Sequence, residues 1–298
     1  MKFIIYTPLY NENSGGVVVL HKLCQVLNSI GETALIWYDR NPLSVNSLKT
    51  FKKKVKYCLD TFFKKSKFKT PYNLKLANKE DIKDSIVIYP EIVAGNPLNA
   101  ENVVRWFLYK PGKHTGVIDY GLNDLFFYYL EEFNDVRWNK DSSNKLFVVD
   151  YLSHVYKKIN NGKRSGVCYM VRKGIDRELN YHPKNALKLD GMSHSEISKV
   201  FNECKYFISY DLYTMYTCFA AICGCIPIVV PKEGISKEEW SHSEESRYGL
   251  AYGFDDISWA VLTRPNLLKL ISQMEEINSS YVCEFVKKCK EKYSNILI

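Results

Sequence analysis

Lys205–Pro231, KYFISYDLYTMYTCFAAICGCIPIVVP, constrains the fold more than any other stretch. Tyr206–Ser209 is a short apolar run with aromatic content, the pattern of a buried strand. Tyr210–Thr217 is rich in hydroxyls and carries one carboxylate, Asp211. Cys218–Cys223 consists of small and apolar residues that can pack as a helix on a sheet, and Gly224 stands where a helix stops. Ile226–Val230 gives a second buried strand, which Pro231 ends. Strand, helix and strand at this spacing predict a parallel sheet. Ligands of such sheets sit beyond the carboxyl ends of the strands. The loop Tyr210–Thr217 falls at such an end, and a helix starting near Tyr213 or Thr214 would suit an anionic group such as a diphosphate.

The same alternation runs through the chain. Lys2–Thr7 is a strand, Pro8–Ser14 a polar loop, and Val17–Ile30 an apolar-periodic helix opened by Gly15 and Gly16. Thr33–Tyr38, Ser85–Tyr89, Asn102–Tyr109, Leu125–Tyr129 and Lys145–Asp150 follow as strands. Tyr156–Ser165 is polar and aperiodic, as a linker would be. Beyond it come strands at Val167–Val171 and Ala186–Leu189, and a helix at Ser193–Asn202 whose Ser193 and Glu196 have capping-box spacing. After the Lys205–Pro231 unit, the pattern predicts helices at Ser236–Arg247, Pro265–Ile277 and Ser280–Tyr293, with a strand at Gly249–Tyr252. The expected class is α/β, two Rossmann-like domains facing a central cleft, with boundaries at 1–158 and 159–298. The last helix is expected to pack back on the first domain.

Length and composition narrow the function classes. The chain has 298 residues, 46% of them hydrophobic, and no apolar run long enough to span a membrane. Met1–Tyr6 enters a strand at once, without the basic and apolar regions of a secretory signal. Nine scattered cysteines, most of them in apolar runs, are read as reduced thiols of a cytoplasmic protein. Cys223 and Cys225 have no second pair at zinc spacing, so no metal site is expected. Phe51–Lys69 carries eight lysines against one aspartate, nearly the whole excess of a chain of net charge +8. That concentration argues against a nucleic-acid-binding body. With Phe51, Val55, Leu59 and Phe62 at helical spacing, the segment is either a basic amphipathic helix on an anionic membrane or a solvated helix over the sheet.

Several residues stand where site chemistry would need them. Gly15 and Gly16 at a helix start permit close backbone approach to a phosphate, or form a simple tight turn; the dinucleotide fingerprint is absent. Arg172 and Lys173 end a strand and are candidates for a diphosphate, together with Tyr210, Thr214, Tyr216 and Thr217. Asp211 suits sugar hydroxyls or an Asx turn. For a general base, Glu91 ranks first because it directly follows a strand and opens a Gly/Asn/Pro loop. Asp119 and His114 in KPGKHTGVIDY come next, and Glu12 is also placed correctly.

Three of these groups resemble the GT-B glycosyltransferases. Gly15-Gly16 before an apolar helix carrying His21 is similar to the loop after the first strand of many such enzymes. VCYMVRKG, Val167–Gly174, resembles the first strand of their donor domain. SHSEISKVFNECKYFISYD followed by a small-residue helix and GCIPIVVP resembles the region that holds the donor nucleotide and sugar. The resemblance implies transfer of a sugar from a nucleotide sugar to a saccharide or lipid-linked acceptor, as in bacterial polysaccharide or lipopolysaccharide synthesis. It implies no cofactor beyond the nucleotide sugar as substrate and no metal, and a place at the cytoplasmic membrane face through Phe51–Lys69. The chain departs from the family at one point: retaining members often carry two glutamates eight residues apart, and here Asp211 is followed by Phe219. A sugar-nucleotide epimerase of the same fold and a non-catalytic sugar-nucleotide-binding domain are the alternatives. His182-Pro183 is similar to a pair that bacterial sialyltransferases use at a cytidine nucleotide.

Overall fold

The computed structural model describes residues 1–38, 69–241 and 243–293. Within them the chain forms two compact units, one of Met1–Asp150 with the segment from Glu275, the other of Tyr151–Met274. The basic stretch Phe51–Lys69 lies outside the described residues except for Lys69.

The first unit is built on five parallel strands: β1 (Lys2–Thr7), β2 (Thr33–Tyr38), β3 (Ile86–Pro90), β4 (Asn102–Phe107) and β5 (Leu125–Tyr128). Their order across the sheet is β2-β1-β3-β4-β5. β1, β3 and β4 are buried along almost their whole length, as both-face-covered parallel strands must be. One face packs on helix α1 (Gly15–Ser29) through Leu20, Leu23, Cys24 and Leu27, which join Phe3, Ile5 and Ile88 in one core. The opposite face gathers Ile4, Tyr6, Val87, Tyr89 and Val103.

The second unit repeats the plan. β6 (Val167–Met170), β7 (Leu187–Lys188), β8 (Tyr206–Ser209), β9 (Ile226–Val229) and β10 (Ala251–Tyr252) are again all parallel, in the order β10-β9-β8-β6-β7. Numbered within its own unit, each sheet has the order 2-1-3-4-5, so the α/β class with two Rossmann-like units is observed directly. Helix α2 (His194–Glu203) starts with the expected capping box of Ser193 and Glu196. Helix α3 (Met215–Cys223) is capped by Thr214 and stops at Gly224, whose φ of 94° suits glycine at a helix C-terminus.

Differences from the sequence expectation are local. Lys145–Asp150 forms no strand; it meets β5 through one bridge, Tyr128 to Lys145, and its Val149 backbone pairs instead with the Asn278 side chain at 2.9 and 2.8 Å. The Ser236–Arg247 helix is a single turn, α4 (Lys237–Trp240), and a separate 3-10 turn at Glu245–Arg247. The two C-terminal helices are one, α5 (Ile257–Tyr293), continuous through Pro265 and through Asn278-Ser279-Ser280. These polar residues look like a break in sequence, but Asn278 is fully buried by its bonds to Val149.

Candidate active site

An open parallel sheet with order 2-1-3-4-5 has one switch point, where successive connections leave to opposite sides and a crevice opens beyond the strand ends. In the first unit this point lies between β1 and β3. In the second it lies between β6 and β8. The sequence candidates fall at both.

At the first switch point, Glu91 follows β3 directly and is 4% exposed. Its carboxylate accepts the Leu108 amide at 3.0 Å, and the amides of Tyr109 and of Glu91 itself also reach it. Burial pushes its pKa up to about 7, and the three amides hold it from rising further. Its carbonyl accepts the Tyr120 hydroxyl at 2.7 Å. Across from β1, the amides at the start of α1 lack a side-chain cap, and a side chain at Gly15 would meet nothing. A Cβ at Gly16 would stand 3.7 Å from Leu108, the residue whose amide binds Glu91. So α1 opens beside the Glu91 loop. His21, which the sequence marks as a polar group in an apolar helix, is fully buried and contacts the Pro8 carbonyl at 3.2 Å. Burial lowers its pKa, the Pro8 carbonyl opposing.

The other two base candidates sit further along the loops. His114 is exposed and stacks on Tyr109 at 4.8 Å. Asp119 is exposed, and its carbonyl accepts the Gly95 amide at 2.8 Å. A residue that sequence reasoning passed over fixes this edge. Arg105, fully buried within β4, pairs its Nε with Asp124 at 2.7 Å and donates to the Val93 and Gly95 carbonyls. It also lies over the rings of Tyr89 and Tyr120 at 4.8 and 5.1 Å. An arginine inside an apolar strand is itself the signal, because a buried guanidinium must be fully paired.

At the second switch point, Arg172 has φ of 42°, a left-handed conformation that a non-glycine residue adopts at a cost. The Asp190 carboxylate holds it there, accepting the amides of Val171 at 2.9 Å and Arg172 at 2.8 Å. This places the Arg172 guanidinium 5.0 Å over the Tyr216 ring and 3.9 Å from the Asp211 carboxylate. The Arg172 side chain is 38% exposed and Asp211 is 5% exposed, so the pair is long and half-solvated. Such a pair is weak, about 0–1 kcal/mol, and leaves the guanidinium available to an anion. Asp211 also accepts the Tyr213 amide at 3.2 Å, the Asx turn that leads into α3. Lys173 is exposed beside Arg172.

The remaining donor-side candidates divide by role. Thr214 caps α3, accepting the Tyr216 amide at 3.4 Å, and Thr217 is buried with its hydroxyl on the Thr214 carbonyl at 2.8 Å. Tyr216 is 6% exposed and presents its ring to Arg172. Tyr210 is fully buried; its hydroxyl takes the Tyr181 amide at 3.0 Å and meets His182 Nδ1 at 2.7 Å. His182 lies face to face on Tyr169 at 3.7 Å, and burial lowers its pKa. Arg177, not singled out in sequence, binds the Tyr210 and Val230 carbonyls at 2.7 and 2.8 Å and ties the ends of β8 and β9 to the loop after β6. Gly174 is required here: a Cβ would stand 2.3 Å from the Tyr210 carbonyl oxygen. Phe219 packs in the core, stacked on Tyr156 at 4.1 Å.

Among the described residues no group of three or more His, Cys, Asp or Glu is placed to hold a metal ion. No described helix is long and apolar enough to cross a membrane.

No family model and no curated protein matches the chain. Among solved structures it is similar to glycosyltransferase VinC in complex with dTDP, at 12% identity and TM-score 0.32, covering 99% of this chain and 95% of that one. It is also similar to the glycotransferase of kitacinnamycin, at 9% identity and TM-score 0.37, covering 98% and 95%. A third is the spinosyn forosaminyltransferase SpnP, at 10% identity and TM-score 0.33, covering 97% and 95%.

Proposed function

We propose that the protein is a glycosyltransferase that moves a sugar from a nucleoside-diphosphate sugar to a saccharide or lipid-linked saccharide acceptor. The observation that supports this most is Arg172. It is a cation in a strained backbone conformation at a switch point, held by Asp190, next to the N-terminus of α3 and to a buried carboxylate, Asp211. Cation, helix N-terminus and buried carboxylate suit a diphosphate joined to a polyol. The sequence resemblance of the same segment to a donor domain supports the reading independently of the geometry.

In this reading the donor belongs to the second unit. Arg172, Lys173 and the positive end of the α3 dipole stabilise the negative charge that grows on the diphosphate as the bond from the anomeric carbon to its oxygen breaks. They do so without a metal ion. Asp211 accepts hydroxyls of the sugar. The first unit supplies the acceptor side. Glu91, with a pKa raised to about 7, is the general base that takes the proton of the acceptor hydroxyl. Asp119 and His114 are the next candidates for the base, and Gly15 and Gly16 admit a phosphate oxygen close to the backbone. We assign the reaction to surface polysaccharide synthesis at the cytoplasmic membrane face, with Phe51–Lys69 as the membrane-contacting segment.

Calorimetry with UDP, GDP, CMP and TDP tests the donor assignment, and donor turnover with and without a saccharide acceptor tests transfer. The proposal expects one nucleotide to bind and donor to be consumed only with acceptor. Consumption without acceptor would make the protein an epimerase or hydrolase. Binding without any turnover would make it a sugar-nucleotide-binding domain.

A further inference from the structure

Arg172 rests on a ring, and that ring is held from behind by a buried histidine that the mechanism above does not use. His194 is the first residue of α2 and is 2% exposed. Its Nε2 meets the Tyr216 hydroxyl at 3.3 Å, and its Nδ1 meets the Tyr156 hydroxyl at 2.7 Å. The His194 and Tyr216 rings also stack, at 5.4 Å and 19°. Tyr156 is fixed in turn. It is 1% exposed and lies flat on Phe219 at 4.1 Å and 7°. Its backbone segment is sewn to α2, where Ser198 donates to the Val155 carbonyl at 2.9 Å and Asn202 binds the amides of Ile159 and Asn160 and the Lys157 carbonyl.

We infer that His194 is a positioning residue for anion binding: through Tyr216 it fixes the ring on which the Arg172 guanidinium lies, and so fixes where that cation points. The inference rests on the reading of Arg172 as a diphosphate-binding group. Among the described residues the Arg172 guanidinium has a long pair to Asp211 to orient it besides the ring, 3.9 Å against the 5.0 Å cation–ring contact. A guanidinium on a flexible stem gains affinity for an anion only if its orientation is settled beforehand. A phenol ring that can turn about its own side-chain bonds does not settle it. A phenol held at its hydroxyl end by one imidazole nitrogen, and held in its plane by the same imidazole stacked on its face, does. A neutral imidazole has one N–H and one lone pair, so in that form one phenol donates to His194 and the other accepts from it. Both nitrogens are engaged, so loss of either one removes one hydroxyl contact, to Tyr216 or to Tyr156.

The two nitrogens allow a clean test, because Gln places its amide near the Nε2 position and Asn near the Nδ1 position. His194→Gln keeps the contact to Tyr216 and gives up Tyr156. His194→Asn keeps Tyr156 and gives up Tyr216. Tyr216→Phe keeps the ring and removes only its hydroxyl. The probe is inorganic pyrophosphate, titrated by calorimetry into the full-length protein, with the melting temperature of each variant recorded. His194→Asn and Tyr216→Phe are expected to weaken pyrophosphate roughly threefold to tenfold, the range of one oriented cation–π contact or hydrogen bond. His194→Gln is expected to bind within about twofold of wild type even where its melting temperature falls, since the Tyr216 contact survives. In an Arg172→Ala background, Tyr216→Phe is expected to change nothing further. Wild-type affinity in Tyr216→Phe would overturn the inference, and so would equal losses in Gln and Asn, which would make His194 a core residue only. Should His194→Asn fail to fold, Tyr216→Phe alone decides. A wild-type protein that does not bind pyrophosphate would instead overturn the diphosphate reading of Arg172.

Discussion

Glu91 and Gly174 are the two residues whose surroundings make the sharpest demands. Glu91 titrates near pH 7 in the folded protein against about 4.5 unfolded, because burial disfavours its charge. The folded state therefore holds the proton more tightly. The stability Glu91 contributes is full below pH 4.5 and is lost as pH rises to about 7, by up to about 3 kcal/mol. Chemical denaturation between pH 4.5 and 7.5 should show that fall, and Glu91→Gln should flatten it. As a base the same group works only when deprotonated, so turnover should rise through pH 7 and Glu91→Gln should lose most of it. Gly174→Ala has no such subtlety. With its Cβ 2.3 Å from a backbone oxygen, the loop after β6 or the end of β8 must move. A loss of roughly 2–4 kcal/mol is expected in urea unfolding. Position along the chain is what singles out Glu91 and Arg172: Glu91 directly follows β3, and Arg172 comes two residues after β6. What Tyr210 does was not legible, because a hydroxyl in a polar loop gives no sign of being bonded to His182 beneath Arg177.

Elements were legible where capping chemistry and periodicity agreed. Ser193 and Glu196 announce α2, and Thr214 and Gly224 bracket α3. The capping box should be worth about 1 kcal/mol, so Ser193→Ala is expected to lower the midpoint of thermal unfolding by a few degrees while the helix signal of the folded protein stays. Elements were misjudged where a side chain replaced a backbone partner. Asn278 takes both backbone groups of Val149, which stops Lys145–Asp150 from joining the sheet and carries α5 through a polar triplet that would otherwise end it. Local sequence cannot reveal this, because the two partners are 129 residues apart. The β6–β7 connection was the other weak point. β7 is only Leu187–Lys188, both exposed, so its pattern barely differs from loop, yet Asp190 just after it is what holds Arg172.

For the molecule as a whole, alternating strands and helices established a parallel α/β chain, and the repeated 2-1-3-4-5 order then places a switch point in each half. The order itself was not legible, since it depends on which strands pair. Val282, Phe285, Val286, Cys289 and Tyr293 of α5 are buried in the core of the first unit, far from it in sequence. Phe285 is 1% exposed and meets Phe127 at 4.9 Å and Phe3 at 5.7 Å. Phe285→Ala should cost about 3–5 kcal/mol in equilibrium unfolding, an effect that a dispensable tail would not show. Arg172 is proposed to bind the diphosphate of a nucleotide donor. The most direct test is titration of UDP, GDP and TDP into wild type and Arg172→Ala by calorimetry. One of the three should bind wild type, with at least roughly tenfold loss in the variant, as removal of a charge-assisted hydrogen bond implies. Equal affinity in the two proteins, or no binding of any of the three at millimolar concentration, would contradict it.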